Sequence, residues 1–301
     1  MPSIQIDNKR VFIVINPVSG LGNGLLLKTI CQQQFSKARW IPDFYMTTKG
    51  ENLAPVIRKA IQDGADMVVA VGGDGTIAAV AAGLIDTQIP LGIIPAGTWN
   101  AIARHLYLPF NPLRAINLIT GKHTTREMDI MEVGESYQAM NVSVGFSAKM
   151  NQNANREIKQ KWGVIAYLKQ FINLLFGLEM HKFVVEADGY TFRGRANEVF
   201  IANYGVAGLH LLEDRLDIHP DDGKVEVLIL RARTIMDLPS MFWQMLILRQ
   251  KRTPKYRQLS ASQFVTIRTD PPSMVQADGE LIGQTPVKVT ILPRKIRVIA
   301  P

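Results

Sequence analysis

Ten residues, Met67 to Thr76, restrict the fold more than any other stretch of this chain: Met-Val-Val-Ala-Val-Gly-Gly-Asp-Gly-Thr. The apolar run Met67 to Val71 is too short for a helix and mostly β-branched, so it reads as a strand buried on both faces. That strand is expected to end at Gly72. The Gly-Gly-Asp-Gly that follows permits positive φ and close approach of another molecule to the backbone. Thr76-Ile77-Ala78-Ala79-Val80-Ala81 then restarts as a helix. A strand, a glycine turn and a helix N-terminus together make an anion site, because outward N–H groups and the helix dipole both favour phosphate. Asp74 repels a phosphate unless a divalent cation lies between them or the carboxylate contacts a ribose hydroxyl or orders waters. The turn therefore hints at Mg²⁺ as well as nucleotide. An ordinary Asp-Gly turn accounts for the same letters taken alone.

Two further stretches repeat the pattern. Val11-Phe12-Ile13-Val14-Ile15 reads as a buried strand and runs into Asn16-Pro17-Val18-Ser19-Gly20-Leu21-Gly22-Asn23-Gly24. That turn lacks the Gly-Lys-Ser/Thr ending of a P-loop and the spacing of a dinucleotide fingerprint. Pro90-Leu91-Gly92-Ile93-Ile94-Pro95-Ala96-Gly97-Thr98-Trp99-Asn100 again reads as strand, turn and helix start. Helices are expected near 25–35 and 52–62 and a strand near 44–47, giving the alternation of a parallel sheet covered on both faces. Strand C-termini in such sheets share one edge where ligands bind, so Gly20, Gly73 to Thr76 and Gly97-Thr98 are expected to converge there. Three ordinary connections remain the alternative.

Past Gly121 the texture becomes β-rich. Strand-like runs span 126–133, 137–144, 182–188, 192–203, 224–230 and 264–269, which suggests a second domain of two packed sheets. Ala277-Asp278-Gly279-Glu280 reads as a tight hairpin turn, and two strands, 287–292 and 295–299, flank Pro293-Arg294. Two helical segments interrupt the strands. Val164 to Phe176 has a broad apolar face. Met236 to Leu248 is followed by Arg249, Lys251, Arg252, Lys255 and Arg257. An apolar helix running into a basic cluster suits an anionic membrane surface, while a core helix with a solvated loop is the blander account.

The 301 residues suffice for two domains, and 47% hydrophobic with 20% charged residues is the composition of a folded chain. Thirty-four Lys and Arg against 26 Asp and Glu give a net charge of +8, which favours anionic partners. No helix-turn-helix, finger spacing or RNA-type aromatic motif accompanies the basic residues, so nucleic acid is not expected. One cysteine, Cys31, excludes an intrachain disulfide and reads as a buried thiol in a reducing compartment. No signal-peptide pattern opens the chain, and no segment reaches the ~20 apolar residues of a membrane span. The expected location is cytoplasmic with peripheral membrane association.

Read in order, Asn16-Pro17-x-Ser19-Gly20, Gly72-Gly73-Asp74-Gly75-Thr76, Pro95-x-Gly97-Thr98-x-Asn100, Asp222-Gly223 and Asp278-Gly279-Glu280 resemble the diacylglycerol kinase catalytic-domain superfamily. The likeness is to the soluble bacterial lipid kinases of that group, relatives of sphingosine and ceramide kinases, and it covers roughly residues 10 to 300. It implies an N-terminal three-layer α/β nucleotide-binding domain and a C-terminal β-sandwich lipid-substrate domain, with the active site in the cleft between them. The expected boundaries are 1–127 with 287–301, and 128–286.

The resemblance also implies ATP and Mg²⁺ as cofactors and a lipid hydroxyl as phosphoryl acceptor. Nucleotide contacts are implied at Asn16, Gly20, Thr47, Gly73, Asp74, Gly75, Thr76 and Thr98, with Thr48 an alternative to Thr47. A structural Mg²⁺ is implied at Asp222, with the backbone carbonyls of His219 and Lys224 as further ligands, and Glu280 as the general base beside a catalytic Asp74. The chain departs from many bacterial members at Ala78-Ala79, where they carry a hydrophobic residue and then Asn-Glu, and at Ala101, where many carry Asp. Trp99 adds an aromatic either to contact substrate or to pack against the second domain. Two other readings stay open: a kinase of the NAD kinase type, which shares the Gly-Gly-Asp-Gly-Thr turn, and a lipid- or nucleotide-binding protein without catalysis. A homodimer is compatible with the sequence, which names neither the acceptor lipid nor the oligomeric state.

Overall fold

The computed structural model describes residues 9–19, 23–153, 179–204, 215–234 and 236–301, with backbone alone at 150–153. The helix expected at Val164 to Phe176 lies outside them. The chain divides into two compact units, Met1–Met128 with Arg294–Pro301 and Asp129–Pro293.

The first unit alternates strand and helix. Its elements are β1 (Arg10–Ile15), α1 (Gly24–Lys37), β2 (Ile41–Met46), α2 (Ala54–Gln62), β3 (Met67–Gly72), α3 (Asp74–Gly83), β4 (Leu91–Pro95), α4 (Ala101–His105) and α5 (Pro112–Thr120). The strands run parallel in the order β2-β1-β3-β4, with Val11 to Ile15 in register with Met67 to Val71 and Val68 to Gly72 with Leu91 to Pro95. Every residue of β3 is buried, as a strand covered on both faces requires. Val11, Ile13, Ile15, Met67, Val69 and Val71 pack with Leu27, Phe35, Ile116 and Ile119 of α1 and α5. Alternation leaves the equally buried Phe12, Val14, Val68 and Ala70 for the other face, where α2 and α3 pack together. Cys31 lies in the first of these cores, and burial pushes its thiol up to about 12, which makes it an inert packing residue.

The second unit is antiparallel. β5 (Thr124–Val133) leads in and is followed by β6 (Ser136–Gln138), β7 (Asn141–Gly145), α6 (Phe146–Asn153), β8 (His181–Ala187), β9 (Tyr190–Ala196), β10 (Glu198–Ala202) and β11 (Val225–Leu230). Next come α7 (Asp237–Phe242), a π-helical turn (Trp243–Ile247), β12 (Tyr256–Ala261), β13 (Phe264–Asp270), β14 (Met274–Ala277), β15 (Glu280–Gln284) and β16 (Val287–Ala300). One sheet has the order β12-β11-β10-β7-β14-β15; facing it are β13, β8 and β9 with the first part of β16. The core between them takes alternate residues from both, among them Val142, Val199, Val227, Phe183, Val265 and Val289.

Several expectations change in detail. The run 192–203 is two strands in different sheets, because β9 pairs with β8 whereas β10 pairs with β7 and β11. Asn197 sits at the break, donating its N–H to Leu230 O at 2.9 Å and its amide Nδ2 to Glu179 O at 3.1 Å. The run 137–144 likewise divides at 139–140. The two strands expected around Pro293 are one, β16. Pro293 offers no N–H and Arg294 takes φ +53, so the pairing changes there, from β13 before it to β4 after it. The basic stretch after Leu248 hides a strand, β12. The helix after the central turn begins at Asp74 rather than Thr76, which puts the whole Asp-Gly-Thr in its first turn.

Candidate functional site

The first unit builds its site from strand ends. Asn16 follows β1 and donates its backbone N–H to Val71 O at 3.0 Å, while Thr47 follows β2 and donates to Ile15 O at 2.9 Å. Ala96, after β4, donates to Gly72 O at 2.8 Å, so four consecutive strands end at one level. Asn16 commits its amide Nδ2 to Thr76 Oγ1 at 3.1 Å and its Oδ1 to Val18 N–H at 3.1 Å, which ties the first turn to α3. A Cβ on Gly72 would lie 2.6 Å from Thr76 Oγ1, so the glycine makes room for the buried threonine.

Gly73 and Gly97 bring the two neighbouring turns into backbone contact. A Cβ on Gly97 would collide with the Cα of Gly73, and one on Gly73 would come within 3.1 Å of the Cα of Gly97. Asn100 holds the second turn closed: its Oδ1 accepts Gly97 N–H and its Nδ2 donates to Gly97 O, both at 2.8 Å, from a left-handed backbone at φ +47. Gly75 and Thr98 are exposed, and a Cβ on Gly75 would meet nothing within 4 Å. The first-turn N–H groups of Asp74 and Gly75 have no intrahelical acceptor, so α3 presents donors and the positive end of its dipole to this opening. Asp74 is half-buried and its Oδ1 accepts Ile102 N–H at 3.1 Å, which ties α3 to α4. Thr48 is occupied by Glu51, whose Oε2 accepts both its N–H and its hydroxyl at 3.0 Å, and this favours Thr47 for ligand contact. The structure thus gathers Asn16, Thr47, Gly73, Asp74, Gly75, Thr76 and Thr98 at one edge. Gly20 lies outside the described residues.

In the second unit Glu280 opens β15, opposite Ala277 across a two-residue turn with Asp278 at φ +46 and Gly279 at φ +88. Positive φ at both turn positions matches the twist of the flanking strands. The Glu280 side chain is exposed. Asp278 anchors the turn from behind: its Oδ2 accepts Ala139 N–H at 2.8 Å and its Oδ1 accepts Met140 and Asn141 N–H at 3.0 and 2.9 Å. Sequence reasoning passed over this anchor, since Asp at the first position of an Asp-Gly turn needs no further reason. α6 packs against β14 and β15. Its start is held by Glu198, which accepts Ser147 N–H at 3.0 Å and the Ser147 hydroxyl. Glu198 is fully buried, and burial pushes its carboxyl up to about 8 against the opposing pull of Ser147 and Phe146.

The loop before β11 carries the residues for which the resemblance implies a cation. His219, Asp222 and Lys224 are exposed there, and Asp222 Oδ1 accepts Lys224 N–H at 2.9 Å. Asp129, buried, fastens the loop by accepting Gly223 N–H at 2.6 Å and donating its own N–H to Pro220 O at 2.7 Å. No cluster of three or more His, Cys, Asp or Glu side chains suited to a metal forms among the described residues. One carboxylate with backbone carbonyls and water is a set that fits a hard cation such as Mg²⁺ rather than a softer metal.

With that geometry in place, residues 10–133 match the diacylglycerol kinase catalytic domain, and residues 140–300 match the YegS C-terminal NAD kinase beta sandwich-like domain. The chain is 28% identical over 310 residues to protein sll0036 of Synechocystis sp., covering 97% of this chain and 70% of that protein. It is 25% identical over 243 residues to a Staphylococcus haemolyticus protein named "Putative lipid kinase SH2167", covering 78% of this chain and 76% of that one. In fold it is similar to a crystal structure described as "a putative diacylglycerol kinase from Bacillus anthracis", with a TM-score of 0.81 at 22% identity over 98% of this chain and 95% of that one. The α/β unit with its parallel sheet and the antiparallel β-sandwich unit are those of this group, and the chain belongs to the diacylglycerol kinase catalytic-domain family, with a second domain of the YegS C-terminal type.

Proposed function

We propose that this protein transfers the γ-phosphoryl group of ATP to a hydroxyl of a lipid such as a diacylglycerol, or of a related glycerolipid or sphingoid lipid. The observation that carries the reading is the strand-end edge of the first unit. There the open first turn of α3, beside the close-packed Gly73 and Gly97 backbones, presents N–H donors, with the Asp74 carboxylate next to them. Phosphoryl transfer needs positioning and charge neutralisation more than covalent help, and a backbone cradle supplies the first. Mg²⁺, when bound with the nucleotide, would neutralise phosphate charge, and Asp74 is the carboxylate that would hold it. Asp222 with its loop carbonyls would hold a second, structural ion. Glu280 takes the general-base role, accepting the proton of the lipid hydroxyl as its oxygen bonds to phosphorus and the β–γ bridging bond breaks to release ADP.

A mass-spectrometric screen tests this by incubating the chain and Mg-ATP with diacylglycerol, a sphingoid base, phosphatidylglycerol and NAD. A mass gain of one phosphoryl group on a lipid supports the proposal. Asp74→Ala should weaken Mg-ATP binding about 10-fold or more while changing stability by no more than about 1 kcal/mol, the cost of one half-buried hydrogen bond. Unchanged nucleotide titration and kinetics in that variant would count against the assignment. The NAD kinase-like character of the matched second domain favours a second reading, phosphorylation of a dinucleotide ribose hydroxyl, and the NAD arm decides it.

A further inference from the structure

α7 and the π-helical turn after it are held to the outer face of their sheet on one side only. Met241 and Met245 are buried with Leu216, Ile218, Leu228 and Tyr256. Lys255 pins the start of α7 through Asp237 at 2.7 Å, and together with the Arg233 and Thr234 N–H groups it brings the Asp237 carboxyl down to about 2. Among the described residues nothing covers the opposite side. Phe242 is 43% exposed, Trp243 60%, Ile247 52% and Leu248 52%, four bulky apolar side chains within seven residues.

The basic residues that follow are held in place by the backbone. Gln250 N–H donates to Gln244 O at 3.0 Å, Gln258 N–H to Lys251 O at 2.8 Å and Thr253 N–H to Tyr256 O at 2.7 Å, so the segment doubles back beside the helix end as a tight hairpin. Between Arg231 and Arg257 there are seven Lys and Arg and one acid, Asp237. Lys251 pairs with Asp217, Lys255 with Asp237, and Arg231 and Arg257 stack on Phe192. Arg249 and Arg252 are exposed and have no carboxylate partner among the described residues.

We propose that Phe242, Trp243, Ile247, Leu248, Arg249 and Arg252 form a docking surface for an anionic lipid bilayer, the apolar four entering the headgroup boundary and the arginines meeting lipid phosphates. Charge and shape favour that occupant. A bulky aliphatic and aromatic centre gains nothing from a nucleic-acid backbone but partitions into an acyl boundary, where Trp is at home. A second copy fits poorly, because a two-fold contact lays the patch on itself and sets Arg249 and Arg252 of one copy against those of the other. The surface lies outside the residues assigned to phosphoryl transfer and extends that reading by naming how the protein meets an acceptor embedded in a membrane.

The full-length chain is sedimented without nucleotide on vesicles of phosphatidylglycerol with phosphatidylcholine and on vesicles of phosphatidylcholine alone. Attachment should require the anionic lipid and weaken with salt, as the Debye length falls from about 10 Å at 0.1 M to about 3 Å at 1 M. Arg249→Gln with Arg252→Gln should lower the anionic partition roughly 10-fold or more, and Trp243→Ser with Ile247→Ser by a comparable factor at every salt concentration. Both pairs are exposed, and circular dichroism checks that they fold. Equal binding to neutral and anionic vesicles, no vesicle binding, no effect of either pair, or a dimer that Trp243→Ser converts to monomer would each overturn the proposal. Phosphorylation of a short-chain, water-soluble acceptor should be unchanged in both variants. Failure of the kinase reading therefore shows in that assay, and failure of the docking surface in sedimentation.

Discussion

The two units treat polar groups in opposite ways. In the first, the described residues bury two polar side chains, Thr76 and Asn100, both neutral and both closing strand-end turns. The second buries the carboxylates of Asp129, Glu198 and Glu226 and anchors a fourth, Asp278, on three backbone N–H groups. Connectivity explains the difference. A parallel sheet ends its strands at one level, where adjacent turns satisfy one another through the backbone and leave N–H groups outward for an anion. Antiparallel hairpins and loops arrive at different levels, and side-chain acceptors must gather the N–H groups that no ladder reaches. Carboxylates that do this structural work are buried or fully bonded, whereas the Glu280 side chain is exposed, as its proposed role as general base requires.

The largest expected effect sharpens that distinction. Glu280→Gln should cut turnover on an accepted lipid by roughly 10²- to 10⁴-fold with Mg-ATP affinity and stability nearly unchanged, because a general base acts mainly in the transition state. A variant keeping more than half the wild-type turnover, with chemistry rate-limiting, would return Glu280 to the ordinary turn residues. Asp278→Ala, two positions away, should do the reverse. It leaves three backbone donors without their acceptor, and chemical denaturation should show a loss of about 2–4 kcal/mol. A smaller loss than 1 kcal/mol would mean that water replaces the carboxylate.

Gly97→Ala probes the first unit, where backbone contact replaces side-chain anchoring. The added methyl meets the Gly73 backbone, which cannot swing aside like a side chain, so stability should fall by about 1–3 kcal/mol and nucleotide binding should weaken with it. An unchanged melting curve would show that the two turns separate at little cost.

A change of slope with pH probes the buried carboxylates of the second unit. Glu198 is raised from 4.5 to about 8 in the folded chain, so between those values the native state holds a proton that the unfolded chain has released. Its contribution is fully present below about pH 4.5, declines as pH rises and is gone above about 8. Glu198→Gln cannot ionise, and denaturation midpoints across this window should fall less steeply with pH than in the wild type. Parallel curves would place the Glu198 carboxyl near its ordinary value.

Much of this molecule is legible in the chain because its signals are local. The strands β1, β3 and β4 announce themselves as short apolar runs leading into glycine-containing turns, and the reason is physical: a strand covered on both faces has no polar side to alternate. The hairpin at Asp278-Gly279 is equally readable, since positive φ at two successive residues narrows the choice of side chains. Other features depend on partners far along the chain. β12 buries Gln258 on the same outer face as Tyr256, bonded at 2.6 Å to Leu216 O and at 2.5 Å to Glu226, so a strand with a buried polar residue in a basic stretch shows no alternation to read. The break at Asn197 is invisible for a similar reason: both halves have strand composition, and only pairing assigns them to different sheets.

The site divides along the same line. Sequence alone determined which residues carry the glycine turns, where the carboxylates Asp74, Asp222 and Glu280 fall, and that the chain is an α/β unit followed by a β-rich one. These follow from side-chain type and spacing within a few residues. Only the tertiary structure decided that Gly73 and Gly97 touch, that Asn16 bonds Thr76 sixty positions away and that Thr48 is already taken by Glu51. It also decided that Asp278 is an anchor while its neighbour Glu280 is exposed. The Gly73–Gly97 contact, the Asn16–Thr76 bond and the Asp278 anchor join residues far apart in the chain, and no local pattern records them, because they are set when distant strands pair.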